Sequence, residues 1–150
     1  MNELEKIAAT KGKILGVDFG DTRTGLAVSD PSRLLASGIG YVSPGGIEKC
    51  ADAVAEVAKE QGVSAAVVGL PVNMDGSEGT RAERCRKFAY MLSERTGIPV
   101  AMFDERMTTM TAARYLNETN TRGKKRKTVI DTLSAQIILQ NCLDRLKYLK

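Results

Sequence analysis

The sequence predicts an α/β fold: one five-stranded mixed sheet, three antiparallel strands and then parallel βα units, with helices on both faces. Three observations predict it. Residues 13–43 hold three short apolar runs joined by tight connections, the pattern of an antiparallel meander. Residues 47–61 place apolar side chains at helical spacing. Two later apolar runs, 64–70 and 98–106, each follow a helical segment, the alternation that builds parallel strands. The order βββ-α-β-α-β-α-α contains no repeat and no internal boundary, so residues 1–150 are expected to form a single domain.

The elements follow in order. "KILGVDFG", residues 13–20, is the first strand, and Asp21 and Thr22 make the turn. "RTGLAVSD" is the second strand and "RLLASGIGYVS", from Arg33, the third; "PGG" at 44–46 ends the meander. Ile47, Cys50, Ala51, Val54, Val57 and Ala58 line one face of a helix from Ile47 to Gln61, with Gly62 as its C-cap. "SAAVVGL" is apolar throughout, as a strand buried on both faces must be, and Pro71 stops it. After the loop "VNMDGSEG", Ser77 is the expected N-cap of a helix to about Thr96, with Cys85, Phe88, Ala89 and Leu92 inside and Gly97 at its end. "IPVAMFDER" is a strand that ends in charge. "TTMTAARYLNET" reads as a short helix opened by Thr108 or Thr109, "RGKKRK" as a basic loop, and the last helix runs from about Thr128 to about Leu149.

Composition removes several classes of function. Apolar residues at 43% and charged residues at 27% are the balance of a soluble globular chain, and no apolar run approaches a membrane span. The polar start, "MNELEKIAATKGK", lacks the apolar core of a signal peptide, so a cytoplasmic protein is expected. Cys50, Cys85 and Cys142 are widely spaced and odd in number, which argues against a zinc site or a disulfide framework and for small buried hydrophobes. There is no histidine, hence neither the commonest general base nor the commonest transition-metal ligand. Any bound metal would be held by oxygen atoms, which points to Mg²⁺ or Mn²⁺. The net charge of +4 is compatible with a nucleic-acid partner without requiring one.

Three acids fall where solvation does not explain them. Asp18 shares a face of the first strand with Ile14 and Gly16, although an acid so close to a turn also serves the turn. Glu105 closes an apolar strand, and ligand sites of open α/β sheets gather beyond the carboxyl ends of strands. Asp104 beside it should point the other way by alternation, which favours Glu105, although spacing alone does not separate the two, and Glu105 can instead be a surface ion-pair partner of Arg106. Asp131 is in register with Ala135, Ile138 and Cys142 on the apolar stripe of the last helix. Thr128 and Asp131 are also spaced as a capping box, where an acid favours the helix dipole. Asp21 and Asp30 sit in turns, as aspartates commonly do.

With these acids in place, "GVDFGDTRTGLAVSD", "VVGLPVNMDGSEGTRA", "FDERMTT" and "DTLSAQIILQNCLD" together resemble the YqgF/RuvX family of ribonuclease H-like nucleases, in order and from about Ile14 to Asp144. The resemblance implies a ribonuclease H fold and a divalent-metal site in which Asp18, Glu105 and Asp131 are the catalytic and metal-binding acids. It also implies a nuclease that processes the 5′ end of pre-16S ribosomal RNA, with kinship to Holliday junction resolvases. "DTLSAQ" departs from the two small residues that more often follow the last acid, but Ser134 is itself small. Two metal ions roughly 3.5–4 Å apart can activate water and stabilise the leaving oxygen without a histidine. A cation would also explain an acid on a half-buried strand.

Around the acids, Arg23 and Arg106 are candidates to grip phosphate oxygens bidentately or to pair with neighbouring acids. Asn73 and Ser77 precede a helix N-terminus, a natural phosphate position, and serve equally as a turn and a cap. Arg122, Lys124, Lys125, Arg126 and Lys127 form a charge run just before Asp131, either a solvated connector or a set of phosphate-binding cations. Other readings stay open: a junction-cleaving DNA endonuclease, a non-catalytic RNA- or ribosome-binding module, and a nucleotide-binding domain of the actin and sugar-kinase type, whose first phosphate loop "VDFGDTRTG" also resembles. The substrate is a precursor RNA or a branched DNA, and the protein a monomer or a homodimer.

Overall fold

The computed structural model describes residues 2–107 and 123–149, with side chains through residue 106 and again from 132. Its strands are β1 (Ile14–Asp18), β2 (Thr24–Ser29), β3 (Ala36–Val42), β4 (Ala65–Leu70) and β5 (Val100–Asp104). Its helices are α1 (Glu3–Ala8), α2 (Ile47–Gln61), α3 (Thr80–Thr96) and α4 (Gly123–Leu146), with short 3₁₀ turns at Glu105–Met107 and Lys147–Leu149. The sheet order is β3-β2-β1-β4-β5. β1 pairs antiparallel with β2 and β2 with β3, while β1–β4 and β4–β5 are parallel, as the sequence predicts.

Two cores lie on the two faces. On one, Leu15, Val17, Leu26, Val68 and Leu70 of the sheet meet Val54 of α2 and Phe88 and Leu92 of α3. On the other, Ile14, Ala27, Val67 and Phe103 meet Ile138, Leu139 and Leu143 of α4. α2 matches its expected limits, and Gly62, at φ +66°, ends it in the left-handed conformation. The three cysteines are free and buried, one in α2, one in α3 and one in α4.

Several expectations are corrected. α1 has no counterpart among the predicted elements: it is short and polar, and Ile7 is its one buried residue. It covers the outer edge of β5, where the Glu3 carboxylate accepts a hydrogen bond from the Met102 N–H at 3.0 Å. β3 begins at Ala36 and not at Arg33, because Asp30 holds the preceding turn by accepting from the Leu34 and Leu35 N–H groups, each at 2.8 Å. The Leu35 N–H, the Ser32 hydroxyl and, to a lesser degree, the Leu34 N–H lower the Asp30 carboxyl pKa to about 2. Arg33, at φ +61°, turns inward and donates to the Gly12 and Ile7 carbonyls.

α3 begins at Thr80 after Gly79, with no side-chain cap, so Ser77 is not its N-cap. The Ser77 N–H and hydroxyl both donate to Asp75, at 2.9 and 2.6 Å, and its carbonyl accepts from the Asn73 N–H. α4 begins at Gly123, so Lys124, Lys125, Arg126 and Lys127 belong to a helix and not to a loop. Asp131 therefore lies in the third turn of α4 and does not open it. The helix expected at 108–119, and Arg122, lie outside the described residues.

α4 sits unusually close to the sheet. A Cβ on Gly16 would stand 2.6 Å from the Leu139 Cβ and 3.1 Å from the Ala135 carbonyl oxygen; one on Gly38 would meet the Thr132 methyl. Because the atoms facing Gly16 are a Cβ and a backbone oxygen, relief requires moving the helix. Gly16→Ala is expected to destabilise the protein by about 1–3 kcal/mol in denaturant titration.

Candidate active site

β1, β4 and β5 are parallel, so their carboxyl ends open on one edge of the sheet. Asp18 is the last residue of β1 and Glu105 the first residue after β5. Both belong to the face that α4 covers. Gly16, two residues before Asp18, touches α4, and Phe103, two residues before Glu105, packs in the α4 core.

Gly69 of β4 is the floor between them. Val17 pairs with Val68, so Asp18 and Gly69 come next in the two parallel strands. A Cβ on Gly69 would stand 3.3 Å from the Glu105 carboxyl carbon and 2.6 Å from the Ile138 Cδ1. Glu105 thus folds back over the strand adjoining β1, into the space the missing side chain leaves. Burial raises its pKa, an effect opposed by the Arg81 charge and aided by Asp104. The Cys85 thiol of α3 is raised to about 11 chiefly by burial, an effect opposed by the Arg81 charge and aided by Glu105, Asp18 and Asp21.

Asp104 has a different partner. Its carboxylate accepts from Arg106 Nη2 at 2.7 Å, Nε at 3.0 Å and the backbone N–H at 2.9 Å. The Arg106 side-chain bonds hold its pKa below the usual carboxylate range. Arg106 also approaches Gly76, which brings it to the loop of Asn73 and Ser77. There the Asn73 amide donates to the Ser77 hydroxyl at 3.0 Å, and Val72 and Glu78 form a bridge that closes the loop. Arg23 lies on the opposite flank, its guanidinium 5.3 Å from the centre of the Tyr41 ring.

Asp131 adjoins Thr132, which packs over Gly38 on the same face as Asp18; its side chain, like those of the cations at 124–127, is outside the described residues. Among the described residues no three metal-ligating side chains cluster. The oxygen donors of Asp18 and Glu105 over a glycine floor, with no histidine in the chain, nonetheless suit a hard divalent cation. Arg81 escaped the sequence reading. It belongs to the first turn of α3, and its charge opposes the effect of burial on Glu105.

A β3-β2-β1-β4-β5 sheet, mixed in just this way and carrying acids beyond its carboxyl edge, defines an α/β fold of the ribonuclease H type. The chain of Thermus thermophilus RuvC in complex with a Holliday junction substrate has the same fold: TM-score 0.61 at 14% identity, over 91% of this chain and 96% of that one. A family model described as "RuvX: Holliday junction resolvase" matches residues 12–145, and the chain belongs to that family. It is 45% identical to a relative in Myxococcus xanthus over 88% of this chain and 87% of the relative. It is 38% identical to one in Ruminiclostridium cellulolyticum over 89% and 95%. Both relatives carry the name "Putative pre-16S rRNA nuclease". The family is one of nucleases, hydrolases of phosphodiester bonds, which sets aside the sugar-kinase reading.

A half-buried carboxylate is a poor contributor to stability without a cation. Metal-free Glu105→Gln is expected to melt at the parent temperature or up to about 3 °C above it, in thermal denaturation with chelator present.

Proposed function

We propose that the protein is a divalent-metal-dependent nuclease that hydrolyses phosphodiester bonds near the 5′ end of precursor 16S ribosomal RNA, with Asp18, Glu105 and Asp131 as the metal ligands. The observation that carries the reading is the Glu105 carboxyl folded over Gly69, beside the end of β1 where Asp18 stands. The names of the relatives supply the substrate class. Mg²⁺ or Mn²⁺ bound there would activate water and offset charge on the leaving oxygen. The chain's own task is to hold the oxygen donors on a rigid strand end and to position the phosphate.

Arg23 on one flank, and Arg106 with Asn73 and Ser77 on the other, would position the phosphate. Asp104 keeps Arg106 extended towards the loop, with two guanidinium nitrogens engaged. Arg122, Lys124, Lys125, Arg126 and Lys127, a charge run that continues into the start of α4, supply the sequence-independent attraction to phosphate. No helix among the described residues is long and apolar enough to cross a membrane. A second reading, cleavage of branched DNA, is favoured by the description of the family and would call for a homodimer.

Purified protein is expected to cut precursor 16S ribosomal RNA only with Mg²⁺ or Mn²⁺. Asp18→Asn should cut at least about a hundredfold more slowly while remaining folded. Four-way DNA junctions run in parallel decide between the two substrates, and an Asp18→Asn variant as active as the parent overturns the site. Lys124, Lys125, Arg126 and Lys127 are to be replaced one at a time and binding titrated at several salt concentrations. The slope of log affinity against log salt should fall by about 1 for each of these cations that neutralises a phosphate.

A further inference from the structure

On β3, a row of exposed residues includes an aromatic ring that neither core uses. Tyr41 is 43% exposed on the edge strand, with the Arg23 guanidinium over its ring. Its position depends on one irregularity. Ala27 pairs with Gly38 and Leu26 with Gly40, so Ile39 is an extra residue in β3. Gly38 faces α4. Without the extra residue, alternation would send Tyr41 to the α2 face. With it, Tyr41 pairs with Gly25, and Gly25 pairs with Asp18. Bulges that re-aim one side chain recur beside functional sites. The left-handed φ of +114° at Gly40 is the conformation that accommodates this one.

Tyr41, Gly25 and Asp18 therefore form one row across β3, β2 and β1, on the face that carries the candidate acids. Two strand spacings separate the ring's strand from that of Asp18, about 10 Å. Between them stands a residue with no side chain. The hairpin end is fixed as well, since the Ser43 hydroxyl donates to the Thr22 carbonyl at 2.9 Å.

We propose that Tyr41 and Arg23 form a binding subsite for an unpaired nucleobase and its phosphate, roughly one or two nucleotides from the bond that is cut. The inference deepens the nuclease reading and rests on it. An exposed ring with a cation over it offers what single strands bind, a flat π-surface for the base and charge for the backbone. A base held in a duplex is stacked already and gains nothing from the ring. The subsite selects substrates with a single-stranded segment beside the cleavage point.

The test is equilibrium binding of an RNA oligonucleotide carrying 2-aminopurine, with chelator present so that nothing is cut. The oligonucleotide is used single-stranded and as a full duplex. Tyr41→Ala should weaken single-strand binding by about 5- to 150-fold, change duplex binding by no more than about twofold, and abolish the stacking-dependent quenching of 2-aminopurine. Tyr41→Phe, which keeps the ring, should bind as the parent does. The salt slope should fall by about 1 in Arg23→Gln and stay unchanged in Tyr41→Ala. Thermal melts check that the variants are folded. Parent-like single-strand binding by Tyr41→Ala, equal losses on both substrates, or no single-strand binding by the parent overturns the subsite. An Asp18→Asn variant that cleaves normally overturns the nuclease site alone, because the binding arms do not depend on cleavage.

Discussion

The interaction on which the remaining structure depends is the close seating of α4 on the sheet. A helix normally stands off a sheet by the thickness of two layers of side chains. Here Gly16 and Gly38 contribute none, and Leu139, Ala135 and Thr132 descend onto the backbone of β1 and β3. The same face opens again at Gly69, where Glu105 and Ile138 share the space above β4. Bulk at these positions would lift the helix and fill the floor between the acids. Small residues on this face of the sheet therefore let the helix seat closely and leave space beside the acids, whereas the opposite face of the sheet carries larger side chains, Leu15, Val17, Leu26, Val68 and Leu70.

Much of this was legible in the sequence, for reasons that differ by element. Apolar alternation and helical spacing pointed to the mixed sheet, and α2 kept the limits its periodicity set. α1 escaped because one buried residue makes no periodic pattern. The start of α4 escaped because a glycine followed by four cations looks like a solvated connector, and α3 starts later than Ser77 because Asp75 engages that serine. Asp18 and Glu105 were legible as acids at strand ends. The difference between Glu105 and Asp104 was not, since it rests on which of them Arg106 engages and which lies over Gly69. Tyr41 was hidden by the extra residue at Ile39, which reverses the face that simple alternation assigns.

The absence of histidine narrows the chemistry more than any single residue present. Asp18 and Glu105 have no imidazole to draw on, so what they offer is negative charge held in place. The chain holds it in place covalently as much as by packing. Asp18 is the terminal residue of a strand bonded on both sides, and Glu105 follows β5 into a 3₁₀ turn that fixes its direction. Arg81 answers that charge from α3, and the Asp104–Arg106 pair keeps a second carboxylate out of the same space.

The strand order also sets a gradient of protection from amide hydrogen exchange across the molecule. β1 and β4 have hydrogen-bonded neighbours on both sides, and residues buried under both helical layers open only with the whole domain. β5 is shielded along its outer edge by α1. β3 has a paired strand on one side only and is broken by a bulge, so its backbone is expected to open in smaller fluctuations. Asp18 thus ends a strand expected to exchange slowly, and Tyr41 stands on one expected to open more readily. With Asp18 as a proposed metal ligand and Tyr41 as a proposed platform for a base, such a gradient would be stiff at the first and yielding at the second.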